Sequence, residues 1–428
     1  MFERFTTASP LEIAQKATVS LLSERGEANA RGMAGKLVAV FKLLDNADHL
    51  RYFEFLSNQF SPDPTAVLAA ANNYADKADA DSLIHLLKAV EPPRQELLRR
   101  LNRAPGGTPT IVQMRERLLA HLKDSPGLRV VDADMQHLLG SWFNPGFLEL
   151  YEITWSSPAQ LLEKIILHES VHAIDGWEDL RRRLQPDRRC YAFFHPQLPG
   201  EPLIFVEVAL VPSISREVGP LLDKKSEALD PKKFKTAIFY SISNCQPGLK
   251  GVNLGNFLIK RVAEKILQEV PSVKTFSTLS PVPGFNRWLD ALPATLPPET
   301  LNDRKDKLSN AVRLLMPEGK PWSKRILAGW QPATAPREEM TALLRLCFVY
   351  LSKHVHSSVG DSVAKFHLAN GAELHNINWA ADLSRKGLSQ SSSIMVNYLY
   401  EIDNVELNHE RFLKRTVVYS KRLERLFG

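Results

Sequence analysis

Apolar residues recur every three or four positions through the first third of the chain, which is the period of an amphipathic helix. Short polar, proline or glycine breaks separate the segments PLEIAQKATVSLLSERG, RGMAGKLVAVFKLLDN, DSLIHLLKAVE and IVQMRERLLAHLK. Helices joined by short breaks tend to pack as antiparallel neighbours. The pattern therefore predicts an all-α helical bundle over residues 1–143, with a structural role or a role in oligomerisation.

The pattern changes near residues 144–155, and a second domain is predicted over residues 144–428. Compact runs rich in β-branched and aromatic residues, LIFVEVALV, FKTAIFYSIS and VKTFSTLSPV, predict buried strands, and NFLIKRVAEKILQEV predicts a helix between the last two. Another helix is predicted to begin at Pro158, with Ser157 as N-cap, and to continue through LLEKIILHESVHAIDGWEDL. Helices are expected again over residues 298–350.

Composition places the chain among ordinary globular proteins. Of its 428 residues 44% are hydrophobic and 24% are charged, and its three cysteines form no C-x-x-C pair. No stretch approaches the roughly 18 apolar residues that span a bilayer, and no signal peptide or peroxisomal S-K-L ending is visible. We expect a soluble cytoplasmic protein without a membrane partner.

The net charge of +6 makes an anionic partner plausible. The sharpest basic cluster is RRRLQPDRRC, residues 181–190, and a solvated helix end is its first interpretation, with phosphate binding as the alternative. No nucleic-acid motif or interleaved aromatic residue accompanies the charge. A nucleic-acid partner is therefore not expected.

The motif H-E-x-x-H occurs at His168, Glu169 and His172. Two histidines four apart on a helix can bind one Zn²⁺, with the glutamate as general base. The extended zinc-peptidase pattern would need glycine at position 175 and histidine at position 178, where the chain has Asp175 and Glu178. Glu178 or Glu201 could still supply a third ligand, so the residues alone leave a zinc hydrolase open as a remote alternative, and no metal is predicted.

A glycine-containing turn, KGVNLGN, lies between a predicted strand and a predicted helix. Its glycines allow close backbone approach, and the following helix N-terminus favours a phosphate group. The turn is neither a P-loop nor a dinucleotide fingerprint, so a tight structural connection is the alternative. The candidate phosphate-binding residues are Lys250, Gly251, Val252, Asn253, Leu254, Gly255 and Asn256.

Several long segments resemble the malonyl-CoA decarboxylase family. In chain order they are RRCYAFFHPQLPGEPLIFVEVAL, FYSISNCQPGLKGVNLGNFLIKRV, FSTLSPVPGFNRWL, FHLANGAELHNINWAADLS and MVNYLY, and they cover most of residues 145–400. The resemblance implies an α+β protein in which an N-terminal all-α helical bundle precedes a GCN5-related acetyltransferase-like α/β domain. In that fold the pyrophosphate of coenzyme A lies on the turn before a central helix. The glycine placement of QPGLKGVNLG departs from the usual Q/R-x-x-G-x-G/A form.

The resemblance also implies a catalytic serine and histidine, which are Ser280 in FSTLSP and His367 in FHLANGA. From the residues alone, Ser280 before Pro281 would be a helix N-cap, and His367 a hydrogen-bonded core histidine. The implied reaction converts malonyl-CoA to acetyl-CoA and CO₂ through a thioester enolate. No cofactor is required, because coenzyme A is part of the substrate.

For this reaction we expect Ser280 to position the malonyl carboxylate and His367, with a near-neutral pKa, to donate the proton. Asn376 and Asn378 are candidate polar supports, with an ordinary turn role as the alternative. The family resemblance further suggests a homo-oligomer built through the helical domain. An acyl-CoA-dependent N-acyltransferase on the same fold is the closest alternative function.

Overall fold

The structure is a computed structural model that describes residues 8–23, 29–252, 254, 258–292, 305–317 and 320–427. The chain forms two compact units. The first comprises residues 1–149, 194–203 and 245–254, and the second comprises residues 150–193, 204–244 and 255–428. Two short segments that leave the sheet of the second unit therefore belong to the first unit.

The first unit is helical, as the apolar period predicts. Its described residues form α1 (Pro10–Leu22), α2 (Ala30–Phe41), α3 (Asn46–Gln59), α4 (Pro64–Lys77), α5 (Ala80–Val90), α6 (Pro93–Asn102), α7 (Gly107–His121) and α8 (Arg129–Trp142). The first helix starts with a capping box in which Ser9 and Glu12 each accept from the other residue's backbone N–H. The core includes the fully buried Tyr52, whose hydroxyl lies 2.7 Å from that of Thr18.

The segment that follows the sheet, residues 245–254, packs tightly on these helices. A Cβ atom on Gly248 would lie 2.0 Å from the carbonyl oxygen of Val112, so only glycine fits there. The buried guanidinium of Arg115 donates to the Gly248 carbonyl at 2.8 Å and to Asp132 at 2.8 Å. These contacts fix the backbone that leads into the glycine-containing turn.

The second unit is mixed. Its strands are β1 (Glu149–Ile153), β2 (Arg188–Phe194), β3 (Ile204–Val211), β4 (Thr236–Asn244), β5 (Thr275–Thr278), β6 (Ser280–Pro281), β7 (Glu373–Asn378) and β8 (Met395–Tyr400). Its helices, in chain order, are α9 (Ala159–His168), α10 (Gly176–Arg183), α11 (Gly219–Leu222), α12 (Leu258–Glu269), α13 (Phe285–Asp290), α14 (Lys305–Leu315), α15 (Trp322–Leu327), α16 (Arg337–Lys353), α17 (Ser362–Ala369), α18 (Arg385–Ser391), α19 (Val405–Leu413) and α20 (Lys421–Phe427).

The strands form one sheet in the order β1-β2-β3-β4-β5-β8-β6, and β7 also pairs with β8. The pairs β2–β3, β3–β4 and β5–β8 are antiparallel, whereas β4 and β5 are parallel. A parallel pair needs a crossover connection, and α12 supplies it. Every residue of β3 is buried, as expected for a continuous apolar run at the centre of a sheet.

The predicted α+β class, with an N-terminal helical region before an acetyltransferase-like α/β domain, is confirmed. The three predicted strands and the helix between the last two are also confirmed, as β3, β4, β5–β6 and α12. No helix among the described residues has the length and hydropathy that crossing a bilayer requires.

Two local predictions are wrong. The helix that contains the first histidine of H-E-x-x-H has Pro158, not Ser157, as its N-cap and ends at His168, because the backbone turns extended at Glu169. The basic cluster is not a solvated helix end either. Arg182 and Arg188 both form buried ion pairs with Asp187, which is itself fully buried.

Candidate active site

The candidate site lies where the parallel strands β4 and β5 stop pairing. Their register runs from Thr236 with Thr275 to Phe239 with Thr278, and the last hydrogen bond joins the Leu279 N–H to the Phe239 carbonyl at 2.9 Å. Beyond this point β4 continues without β5 beside it, and a cavity of about 240 Å³ opens. The cavity is lined by Val171, Ile204, Phe239, Tyr240, Ser241, Ile242, Asn244, Ser280, Pro281, Ser362, Val363, Phe366 and His367.

Ser280 and His367 meet at the wall of this cavity. The Ser280 Oγ lies 3.0 Å from the His367 Nε2, although the two residues are 87 positions apart. Ser280 sits on β6, paired with Val396, and His367 sits on α17. Because Ser280 is in a strand, the N-cap interpretation is wrong. The family resemblance and the geometry therefore select the same two side chains.

Each partner has a further buried hydrogen bond. The Ser280 hydroxyl donates to Thr278 Oγ1 at 2.9 Å, and the His367 Nδ1 lies 2.9 Å from the Tyr400 hydroxyl. A serine that donates to Thr278 must accept from His367, which places the imidazole hydrogen on Nε2. The Tyr400 hydroxyl then donates to Nδ1. This assignment is the tautomer that satisfies all three bonds together.

Burial sets the charge state of this chain of groups. His367 is 2% exposed, and desolvation lowers its pKa to about 3, so the imidazole is neutral at physiological pH. The expected near-neutral pKa of His367 is therefore wrong. Burial also raises the pKa of Tyr400, which keeps its phenol protonated and able to donate.

Asp361 connects the two segments that carry the pair. As N-cap of α17, its Oδ1 accepts from the N–H groups of Val363 and Ala364 at 3.0 and 2.9 Å. Its Oδ2 accepts at 3.0 Å from the N–H of Gly284, four residues beyond Ser280. One buried carboxylate thus fixes the helix that bears His367 against the turn that follows Ser280.

Glu169 of the H-E-x-x-H motif supports another wall of the cavity. Its Oε1 accepts from the N–H groups of Val171 and His172, both at 2.7 Å, and its Oε2 accepts from the hydroxyls of Ser241 and Ser243 at 2.7 and 3.2 Å. Val171 and Ser241 both line the cavity. The glutamate is therefore engaged with four neutral donors.

The two histidines of the motif do not form a metal site in this conformation. His172 is buried, with its Nε2 unpartnered, and desolvation lowers its pKa to about 4. Within the part of the chain that the structure describes, no group of three or more His, Cys, Asp or Glu side chains is arranged to hold a metal ion. The helix on which the zinc hypothesis depends also ends one residue before Glu169.

Asn376 and Asn378 lie on β7 rather than in a turn. The amide of Asn376 donates to Asn378, which donates to Asn397 Oδ1 at 2.7 Å. Asn397 in turn donates to the Thr278 carbonyl at 2.8 Å. Through Asn397, the two asparagines therefore support the strand that precedes Ser280, and neither of them lines the candidate active-site cavity.

The glycine-containing turn is described only in part. Gly251 has φ +78°, a conformation that favours glycine, and its carbonyl accepts from Gln136 at 2.7 Å. The candidate residues Lys250, Gly251, Val252 and Leu254 are described, whereas Asn253, Gly255 and Asn256 lie outside the described residues. Coenzyme A binding by this turn stays a prediction.

The fold and the site together define an enzyme. A serine and a neutral histidine, both buried and hydrogen-bonded to each other at the wall of a mainly apolar cavity, form a pair suited to acid–base work on a small acyl group.

Comparison with known proteins identifies the kind of enzyme. Residues 146–427 match the family model for the malonyl-CoA decarboxylase C-terminal domain, and residues 60–143 match that for its N-terminal domain. The mitochondrial malonyl-CoA decarboxylase of Anser anser anser is 39% identical over 76% of this chain and 67% of its own length. The mitochondrial malonyl-CoA decarboxylase of Rattus norvegicus is 36% identical over 76% of this chain and 69% of its own length.

Solved structures agree. The crystal structure of malonyl-CoA decarboxylase from Rhodopseudomonas palustris covers 98% of this chain and 100% of its own, with 42% identity and a TM-score of 0.87. The crystal structure of malonyl-CoA decarboxylase from Agrobacterium vitis aligns with 97% of this chain and 99% of its own chain, with 41% identity and a TM-score of 0.81. The chain belongs to the malonyl-CoA decarboxylase family, and it is accordingly an enzyme of the carbon–carbon lyase class.

Sequence reasoning missed Thr278, Asp361, Tyr400 and the role of Glu169. Asp361 carried a readable signal, because an aspartate before SVAKF is a helix N-cap pattern. Tyr400 carried none, since only the sheet brings the last residue of β8 to the imidazole.

Proposed function

We propose that this enzyme converts malonyl-CoA to acetyl-CoA and CO₂ through a thioester enolate, with Ser280 and His367 as its catalytic residues. The observation that carries the proposal is the 3.0 Å contact between the Ser280 Oγ and the His367 Nε2 at the cavity wall. A cavity of about 240 Å³ suits an acyl group rather than the whole coenzyme.

The lining of the cavity favours loss of CO₂. Among the described residues that line it, the polar side chains are hydroxyls, an amide, a phenol and an imidazole, and none is a lysine, an arginine or a carboxylate. A substrate carboxylate there would exchange water for a mainly apolar wall without a permanent cation beside it. Decarboxylation relieves that desolvation, because the leaving CO₂ is neutral.

In the proposed reaction Ser280 positions the malonyl carboxylate so that the breaking C–C bond stands perpendicular to the thioester plane. That bond breaks, CO₂ leaves, and the electron pair moves to the α carbon and the thioester oxygen. A proton from the His367 Nε2 then forms the new C–H bond. Desolvation lowers the pKa of His367, and the negative charge of the substrate opposes this effect, so the bound anion itself favours the protonated imidazole.

The remaining elements of the proposal concern binding and assembly. Residues Lys250 to Asn256 are proposed to hold the pyrophosphate of coenzyme A, with backbone N–H groups as donors. Residues 1–143 are proposed as a separate helical domain that forms a homo-oligomer, and this boundary lies between the two family matches. Malonyl-CoA is the proposed partner molecule, and no added cofactor enters the scheme.

The test mixes purified protein with malonyl-CoA in the presence of EDTA and follows CO₂ and acetyl-CoA. Turnover should persist with EDTA and fall by about 10²–10⁴ in His367→Asn, the usual contribution of a general acid. Turnover should also fall in Ser280→Ala. It should not fall in His85→Asn, which changes an exposed histidine on α5. An N-acyltransferase would instead need an amine acceptor, and a zinc hydrolase would be inhibited by EDTA. No CO₂ release under any condition would reject the proposal.

A further inference from the structure

A second and larger cavity, of about 760 Å³, lies at the other end of the parallel strands. It is lined by the first residues of β4 and β5, Thr236 and Thr275, whereas the candidate active site lies along the last residues of β4. The rest of its wall comes from the β3–β4 connection, β7 and the C-terminal segment. Those residues are Pro212, Ser213, Ile214, Arg216, Lys235, His375, Asn376, Ser420 and Arg422.

Three permanent cations line this cavity, two from the β3–β4 connection and one from α20, and all three residues are exposed to solvent. Arg216 and Lys235 lie at the two ends of the β3–β4 connection, and Arg422 lies on α20. Within the part of the chain that the structure describes, none of the three side chains has a hydrogen-bond or ion-pair partner. They differ in this respect from Arg182 and Arg325, which are paired with carboxylates.

No carboxylate lines the cavity among the described residues. The lining residue His375 has its own carboxylate partner, because the Glu373 Oε1 lies 3.0 Å from its Nδ1. Like charges in a concave wall focus a positive potential into the space between them. Ser213, Thr236 and Thr275 also line the cavity and add neutral hydroxyl groups to its wall.

We propose that this cavity binds a small phosphate-bearing anion at a site separate from that of the substrate. Its volume lies within the roughly 300–1,000 Å³ typical of ligand sites. Two guanidinium groups match the geometry of phosphate oxygens, and the ammonium of Lys235 adds a point charge. Because two cations come from the β3–β4 connection and the third from α20, we expect a ligand with at least two anionic groups.

The test is calorimetric titration of the full chain with inorganic pyrophosphate, at an ionic strength held constant with KCl. The double variant Lys235→Ala/Arg422→Ala should bind at least about tenfold more weakly, because it loses two charge-assisted contacts. The matched control, Lys232→Ala/Lys233→Ala, removes the same charge from exposed residues of the same connection that do not line the cavity. It should bind as the unchanged chain does.

The titration is repeated with saturating coenzyme A, and pyrophosphate binding should persist. Displacement by coenzyme A would overturn the proposal, since the probe would then occupy the substrate site. Equal weakening in both double variants, or no binding by the unchanged chain, would overturn it too. So would tighter binding of citrate than of pyrophosphate, because the class of anion would be wrong. The readout is binding, so its outcome does not depend on whether malonyl-CoA is decarboxylated.

Discussion

The hydrogen bond between Tyr400 and His367 offers the sharpest test of the site. Tyr400→Phe removes only the hydroxyl that lies 2.9 Å from the His367 Nδ1, while the ring of this buried residue keeps its shape. The Nδ1 then has no partner in a buried position. An unsatisfied buried acceptor costs about 1–3 kcal/mol.

Moving the hydrogen to Nδ1 does not avoid that cost, because a buried N–H without an acceptor is also unsatisfied, and the move would reverse the bond with Ser280 as well. The protonated imidazole that the proposed reaction requires also loses the Tyr400 oxygen as acceptor for its Nδ1–H, so this form becomes less favourable by about 1–3 kcal/mol, which corresponds to a loss of roughly 5- to 150-fold in kcat. The KM for malonyl-CoA should change little, because the hydroxyl does not line the cavity.

A matched control lies two residues away. Among the described residues the Tyr398 hydroxyl has no hydrogen-bond partner although it is buried, and its ring stacks on that of His367 at 4.7 Å between centroids. Tyr398→Phe should therefore leave kcat unchanged and leave stability unchanged or raised, as measured by steady-state kinetics and urea unfolding. Equal losses in both variants, or full activity in Tyr400→Phe, would refute the role assigned to the Tyr400 hydroxyl.

Three further predictions follow from other contacts. Asp361→Asn should lower kcat more than it raises KM, because an amide group in place of Oδ2 cannot accept from the Gly284 N–H. Steady-state measurement of kcat and KM checks this prediction, and a variant that loses only stability would contradict it. The pKa of His367 is lowered to about 3 in the folded state, so its contribution to stability is complete above the unfolded value near 6.5 and is lost as pH falls. Urea unfolding as a function of pH should show a slope of up to about 1.4 kcal/mol per pH unit between roughly pH 6 and 4, and His367→Asn should reduce it. Gly248→Ala should destabilise the helical unit by about 1–3 kcal/mol or more, because its Cβ would overlap the Val112 carbonyl, and thermal unfolding measures this. A normal melting temperature in Gly248→Ala would contradict the packing described here.

Much of the fold could be predicted from the sequence because the relevant signals are local. The helical period over residues 10–121 records which face of each helix is buried, and the mainly apolar run of β3 indicates a strand buried on both faces. The H-E-x-x-H segment was the exception. Its amphipathic pattern continues past His168, yet Glu169 leaves the helix and bonds to two serines of β4.

The candidate pair shows where local reasoning ends. Ser280 before Pro281 carries the same local signal as a helix N-cap, and only pairing with Val396 makes it a strand residue. The resemblance to known decarboxylases pointed to both residues, and the structure places their side chains 3.0 Å apart. It could not give the charge state of His367, because desolvation depends on every element packed around the ring.

By itself the sequence determined the helical N-terminal region, the mixed character of the second domain and the identity of the family, since periodicity and ordered segments are properties of the chain. Only the tertiary structure decided which groups surround Ser280 and His367. The 2.9 Å contact of Tyr400 and the shared carboxylate of Asp361 join residues far apart in sequence. Such contacts depend on strand register and helix placement, which no local pattern encodes.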